Sequence, residues 1–156
     1  MKQYNNGHIR ATVQSDFANL EKNLRYADKL EFETTNYSEL GFVDMMSLAL
    51  IHTPMKTAVL NNGDIAFILG VNKIEDDGGF VWLLGTKAIE DISIEFVRNT
   101  KKVFSDIRKS FKYLKTHALE FEPKRHRWLK WMGFQEVSRT PARGRLQLPF
   151  INYETI

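Results

Sequence analysis

The chain opens on a strand-like run, residues 7–13 (GHIRATV), and then changes period. Phe17, Leu20 and Leu24 recur at helical spacing behind Ser15, which can cap a helix that starts at Asp16. Asp28 and Glu31 have the spacing of a capping box, with Asp where Ser or Thr is usual, and predict a second helical piece. Residues 39–51 predict a third, ended by Pro54. The clearest β signal is residues 57–71. Two apolar runs there flank Asn61-Asn62-Gly63-Asp64, and Asn-Gly predicts a tight type I′ turn. Asp76-Asp77-Gly78-Gly79 predicts the next turn, and residues 80–84 (FVWLL) a buried third strand of a meander.

A long helix is expected over residues 89–111, because Ile92, Phe96, Val103, Ile107 and Phe111 share one face. Arg98, Lys101, Lys102, Arg108 and Lys109 lie on its other side. Residues 113–121 predict a strand. Pro123 opens a short helix at a first helical position, with Trp128, Leu129 and Met132 on one face, and Gly133 stops it. Residues 134–137 and 145–150 predict closing strands. The order is a mixed α+β arrangement around one sheet.

The length, 156 residues, suits one domain and can bury a core without disulfides. The absence of cysteine removes disulfides, thiolate metal sites and a cysteine nucleophile from consideration. MKQYNNGHIR has no apolar core of a secretory signal, and the run 45–51 is too short to span a bilayer, so no membrane role is expected.

Charge changes the picture more. Residues 1–97 carry 8 Lys and Arg against 14 Asp and Glu, and residues 98–145 carry 14 against 4. The second stretch can face a polyanion. Solvated faces of ordinary helices account for the same residues.

The element order, "HIRATVQSDFANLEKNL" at the start and "HRWLKWMGFQEV" near the end resemble the GNAT-type N-acetyltransferase fold over nearly the whole chain. "VWLLGT" before a helix, followed by "RHRWLKWMGF", is similar more narrowly to GNAT-like proteins of short-tailed phages, described as acetyltransferases or internal virion proteins. The resemblance implies a single GNAT-like α+β domain over residues 1–156, with a central mixed sheet of about six or seven strands flanked by helices.

The resemblance also implies parts that this sequence lacks. GNAT enzymes cradle the CoA pyrophosphate in a Q/R-x-x-G-x-G/A loop, where backbone N–H groups and a helix N-terminus favour the anion. The matching segment, GTKAIEDISIEF, has the single glycine Gly85 and carries Glu90, Asp91 and Glu95. Acidic residues stabilise a helix N-terminus with no ligand present, and they repel phosphate. Many members use a Tyr four residues before the Gly of Gly-Phe as general acid; Leu129 stands there. FVWLLG offers no carboxylate as general base, and Glu75, Asp76 and Asp77 read as a solvated turn.

His117 is the weak candidate for a base, and a satisfied structural histidine is the competing reading. The candidate cofactor contacts are Gly85, Thr86, Arg98, Lys101, Lys102, Arg125 and Trp128. The histidines and carboxylates show no metal-ligand spacing, so no metal is expected. Arg143-Gly144-Arg145 reads as a tight turn, with an anion-binding surface as the alternative.

The leading expectation is a phage protein on a degenerate GNAT scaffold. It would need no cofactor and would bind a host or virion protein during assembly or host takeover, in the host cytoplasm or the virion. The alternatives are an active acyl-CoA-dependent N-acetyltransferase using acetyl-CoA through an atypical loop, and a basic nucleic-acid-associated protein. In the last, phosphates would meet residues 98–145 while Trp128 and Trp131 stack on bases.

Overall fold

The computed structural model describes residues 2–4, 7–36, 38–92 and 94–155. In chain order the strands are β1 (Lys2–Tyr4), β2 (Gly7–Ala11), β3 (Met55–Leu60), β4 (Ile65–Lys73), β5 (Gly78–Gly85), β6 (Tyr113–Leu119), β7 (Phe134–Arg143) and β8 (Leu148–Thr155). The helices are α1 (Asp16–Asn23), α2 (Tyr26–Thr35), α3 (Phe42–His52), α4 (Ile94–Arg108) and α5 (Pro123–Trp131). The expected mixed sheet is present, in the order β1-β2-β3-β4-β5-β6-β8-β7. β1 to β4 pair antiparallel, as do β6, β8 and β7, while β5 and β6 run parallel.

The chain gathers into two compact units. The first comprises Met1–Arg25, Ser38–Val71 and Leu83–Val103. Phe17 and Leu20 are fully buried there, as the helical spacing requires. Leu24 lies beyond the end of α1 in an extended conformation and bridges to Thr86. Ser15 does not cap α1 with its side chain. The buried Asp16 instead ties the start of the helix to β2 and β3: it accepts from the Val13 N–H at 3.0 Å, from the Thr57 hydroxyl at 3.0 Å and from both ends of the Arg10 guanidinium at 2.8 Å. Burial works to raise the Asp16 pKa, and these donors outweigh it and hold the carboxyl below its ordinary range.

The β3–β4 connection differs from the expected turn. Type I′ needs positive φ at two successive residues, and here Gly63 (φ 91°) has it while Asn62 does not. Leu60 N–H bonds Asp64 O at 2.8 Å, which closes a three-residue loop, and the Asn62 side chain accepts from the Asp64 N–H at 2.9 Å. The expected long helix also divides. A 3-10 turn, Lys87–Asp91, comes first, Ile92 is extended, and α4 begins at Ile94. Thr86 explains the early start: its hydroxyl accepts from the Ala88 N–H and nucleates the turn at Lys87.

The second unit comprises Tyr26–Tyr37, Asn72–Trp82 and Phe104–Ile156. Asp28 does not cap α2; it sits inside the helix, buried. In the 76–79 turn, Asp76 and Asp77 take the positive φ values, 55° and 60°, while Gly78 is extended. Gly78 is needed for space, since a Cβ there would run into the Tyr113 ring. The closing strands are longer than expected, and β7 is an outer strand whose pairing with β8 shifts register twice, at Glu136/Ser138 and at Thr140/Arg143. Leu129 and Met132 seat α5, and Gly133 (φ 103°) ends it.

Candidate functional site

In the first unit, β5 ends at Gly85 and Thr86, and both are occupied by the protein itself. The Gly85 carbonyl accepts from the Arg25 N–H at 3.0 Å. The Thr86 N–H donates to Ala66 O at 3.0 Å, and its hydroxyl donates to Ile65 O at 2.5 Å while accepting from the Ala88 N–H at 3.1 Å. A cleft of about 240 Å³ adjoins this point, lined by Asn19, Asn23, Asp64, Thr86, Lys87 and Asp91 among others. Two carboxylates against one ammonium make a poor phosphate cradle. Further along, Arg98, Lys101 and Lys102 have i, i+3, i+4 spacing and stand exposed on α4.

In the second unit, the parallel ladder of β5 with β6 covers three residue pairs, Gly78–Tyr113 to Phe80–Lys115. At the next position the Thr116 hydroxyl, not a backbone N–H, donates to Val81 O at 2.8 Å. The described β5–β6 ladder therefore ends at Phe80 and Lys115.

His117 lies where the ladder ends. Its ring meets the edge of Phe80 at 5.0 Å and packs on Phe150 at 4.6 Å. Nδ1 accepts from Arg143 Nη1 at 3.0 Å, which places the imidazole proton on Nε2, 3.5 Å from Glu31 Oε1. Burial, with the positive charges of Arg143 and Arg125, lowers its pKa to about 3.

On α5, Arg125 is committed to a carboxylate: Nη2 reaches Asp28 Oδ1 at 2.8 Å. Burial alone would lower the guanidinium pKa, and Asp28 and Glu31 raise it instead. His126 bonds Leu119 O at 2.9 Å and Glu120 O at 3.0 Å through Nε2, so Nδ1 accepts from the buried Tyr153 hydroxyl at 2.7 Å. Trp128 is half-buried, edge-on to Phe104 at 5.9 Å, whereas Trp131 is 41% exposed.

No protein-family model matches the chain, and no curated protein matches it. Solved structures do. A ribosomal-protein-alanine N-acetyltransferase from Brucella melitensis matches with a TM-score of 0.72 at 12% identity, over 96% of this chain and 99% of that one. An acetyltransferase of the GNAT family from Streptococcus pneumoniae matches with a TM-score of 0.65 at 14% identity, over 96% and 98%. Spermidine N-acetyltransferase from Vibrio cholerae, solved with CoA and spermine, matches with a TM-score of 0.68 at 11% identity, over 97% and 95%. The chain has the GNAT fold.

Set on the GNAT fold, the sequence candidates separate. Gly85 and Thr86 meet in the first unit and line or adjoin the cleft, while Arg98, Lys101 and Lys102 form their own exposed face on α4. In the second unit, Arg125 and His117 join one network with Asp28, Glu31 and Arg143, and Trp128 packs with Phe104. Leu129, which the sequence resemblance aligns with a tyrosine of many GNAT enzymes, is 3% exposed and belongs to the core. Among the described residues no cluster of His, Cys, Asp and Glu could hold a metal ion, and no helix is long and apolar enough to cross a membrane.

Sequence reasoning missed Asp28 and Glu31, whose spacing reads as a cap. It also missed Tyr153, which lies beyond the closing strand expected over residues 145–150. Arg143 was visible only as part of a turn. No local signal could have paired any of them with partners so far along the chain.

Proposed function

We propose that the protein is an acyl-CoA-dependent N-acyltransferase with an atypical cofactor loop. The observation that carries this reading is the early end of the β5–β6 ladder at Phe80 and Lys115. Two parallel strands that stop pairing leave N–H and C=O groups able to receive an extended, amide-bearing ligand, as an added strand would be received. The pantetheine arm of acetyl-CoA has that chemistry. The fold supports the same reading, as does the CoA bound in the Vibrio cholerae spermidine N-acetyltransferase structure.

The fit to acetyl-CoA is partial. The backbone of β5 beyond Phe80 suits the pantetheine arm. The 3-10 turn after Thr86 does not suit the pyrophosphate, because the Thr86 hydroxyl takes the Ala88 N–H. Arg98 and Lys102 are exposed cations on α4 whose contribution to phosphate binding the titration below tests. When bound, acetyl-CoA supplies an acetyl group activated as a thioester. His117, neutral above a pKa of about 3, accepts from Arg143 at Nδ1 and is a poor general base near neutral pH.

Calorimetric titration with acetyl-CoA and with CoA, at low and moderate salt, tests this reading. Micromolar binding that survives moderate salt, weakened at least tenfold by Arg98→Glu with Lys102→Glu, is the expected result. No binding removes the proposal.

A second reading rests on the self-occupied Thr86 cap and the buried Leu129. In it the chain is a binding protein of the short-tailed phage group on a scaffold that has lost its cofactor. It meets a host or virion protein, in the host cytoplasm or the particle. Pull-down of one defined partner by a protein that ignores CoA supports it. The basic face of α4 also suits nucleic acid, for which affinity must fall steeply with salt.

A further inference from the structure

Arginines 10, 125 and 139 each meet a carboxylate: Asp16 at 2.8 Å, Asp28 at 2.8 Å, and Glu136 at 2.6 Å. Arg143 does not. Its Nη1 faces the His117 Nδ1 at 3.0 Å, and its Nη2 donates to the Thr140 hydroxyl at 3.1 Å and the Asn152 side-chain oxygen at 2.9 Å. Its guanidinium carbon lies 5.4 Å from the centre of the Phe150 ring. These partners are a neutral imidazole, a hydroxyl, a carboxamide and an aromatic face. They hold a positive charge in place without neutralising it, which is costly for a half-buried group unless a charge arrives from outside.

The placement is built, not incidental. Gly144 (φ 65°) turns the chain directly after Arg143, where a Cβ would collide with the Thr34 carbonyl. The Arg145 N–H donates to that same Thr34 carbonyl at 3.0 Å and pins the turn to the end of α2. Asn152, which receives Arg143, is itself oriented by donating to Ser138 and Thr140, each at 3.0 Å. The three bonds above use three of five guanidinium N–H groups. That leaves the Nε–H and one Nη1–H for a further acceptor, and no buried side-chain nitrogen or oxygen among the described residues lacks a partner.

We propose that Arg143 anchors a carboxylate of the acyl acceptor, so that the acceptor class is amines that also carry a carboxylate, amino acids and peptides among them. The proposal rests on the acyltransferase reading and names its acceptor. A single guanidinium beside an aromatic ring matches a monoanion better than a doubly charged phosphate, because Arg125 nearby is already neutralised by Asp28. Glu31 stands on the far side of the imidazole, 3.5 Å from Nε2, and is the anionic group that the incoming carboxylate must avoid.

The test measures acetyl transfer by the full chain to a panel of amino acids, each matched with the amine that lacks its carboxylate. Arg143→Gln and Arg143→Lys are run beside the parent. The expected result is at least a tenfold preference in kcat/KM for carboxylate-bearing acceptors, expressed mainly in KM. Arg143→Gln erases it without altering the decarboxylated amines, and Arg143→Lys restores part of it. Equal or better use of the decarboxylated amines, or equal loss on both classes in Arg143→Gln, overturns the proposal while leaving the acyltransferase reading intact. If acetyl-CoA does not bind, that reading fails, and titration with 3-phenylpropanoate against phenethylamine decides on the anchor alone. Binding of the acid that needs Arg143 keeps the anchor; its absence overturns it.

Discussion

Arg125 and Asp28 are 97 positions apart in the chain and 2.8 Å apart in the fold. Both are largely buried, with side-chain exposures of 11% and 1%, so each compensates the charge of the other away from water. Removing one partner leaves an uncompensated charge. Asp28→Ala is expected to lower stability by ~3–5 kcal/mol, far more than an exposed pair would cost. Urea unfolding of Asp28→Ala, Arg125→Met and the double variant measures this. The double variant should recover much of the loss, and simple additivity would show that the two residues do not act as a pair.

His117 makes stability depend on pH in a defined window. Its pKa falls from 6.5 to about 3 on folding, so between these values the unfolded chain binds the proton and the folded chain does not. The stabilisation is complete above pH 6.5 and is lost as the pH falls toward 3, by about 1.4 kcal/mol per pH unit. Unfolding at pH 6.5 and at about pH 5 separates this from carboxylate titration, which begins lower. His117→Gln should flatten the slope over that interval. An unchanged slope would assign the proton to another group.

Thr86 bears on both fold and cofactor. Thr86→Val keeps the shape and removes the hydroxyl, so Ala88 loses its cap and Ile65 O its donor. A loss of ~1–3 kcal/mol is expected by urea unfolding. The Ala88 N–H is freed by the same change. If the acyltransferase reading holds, CoA affinity rises or holds despite the lower stability; a parallel fall in both would tie the hydroxyl directly to cofactor binding.

Gly144 tests the turn that aims Arg143. A left-handed residue with a Cβ costs ~1–2 kcal/mol in backbone energy alone, before any collision with Thr34. Gly144→Ala should therefore lower the melting temperature. It should also raise KM for carboxylate-bearing acceptors more than for their decarboxylated counterparts, because the turn moves with the arginine.

Local chemistry was legible in the sequence wherever the cause was local. Phe17 and Leu20 announced α1, Pro123 and Gly133 bounded α5, and the paired apolar runs around Gly63 announced a hairpin. What failed also has a local explanation. The Thr86 hydroxyl started a 3-10 turn inside a pattern that reads as one long helix, and Asp28 imitated a cap while serving Arg125. The candidate site was least legible. Its members lie on α2, β6, α5 and β7, and hydrophobic periodicity says nothing about which polar residues of distant elements will meet.

The outer strand β7 has one more consequence. An unpaired edge ten residues long is an invitation to another chain, and this one is defended. Two register shifts bend it, Pro141 withholds an N–H, and Arg139 and Arg143 bring charge to it. Strand addition at that margin is disfavoured by all three features.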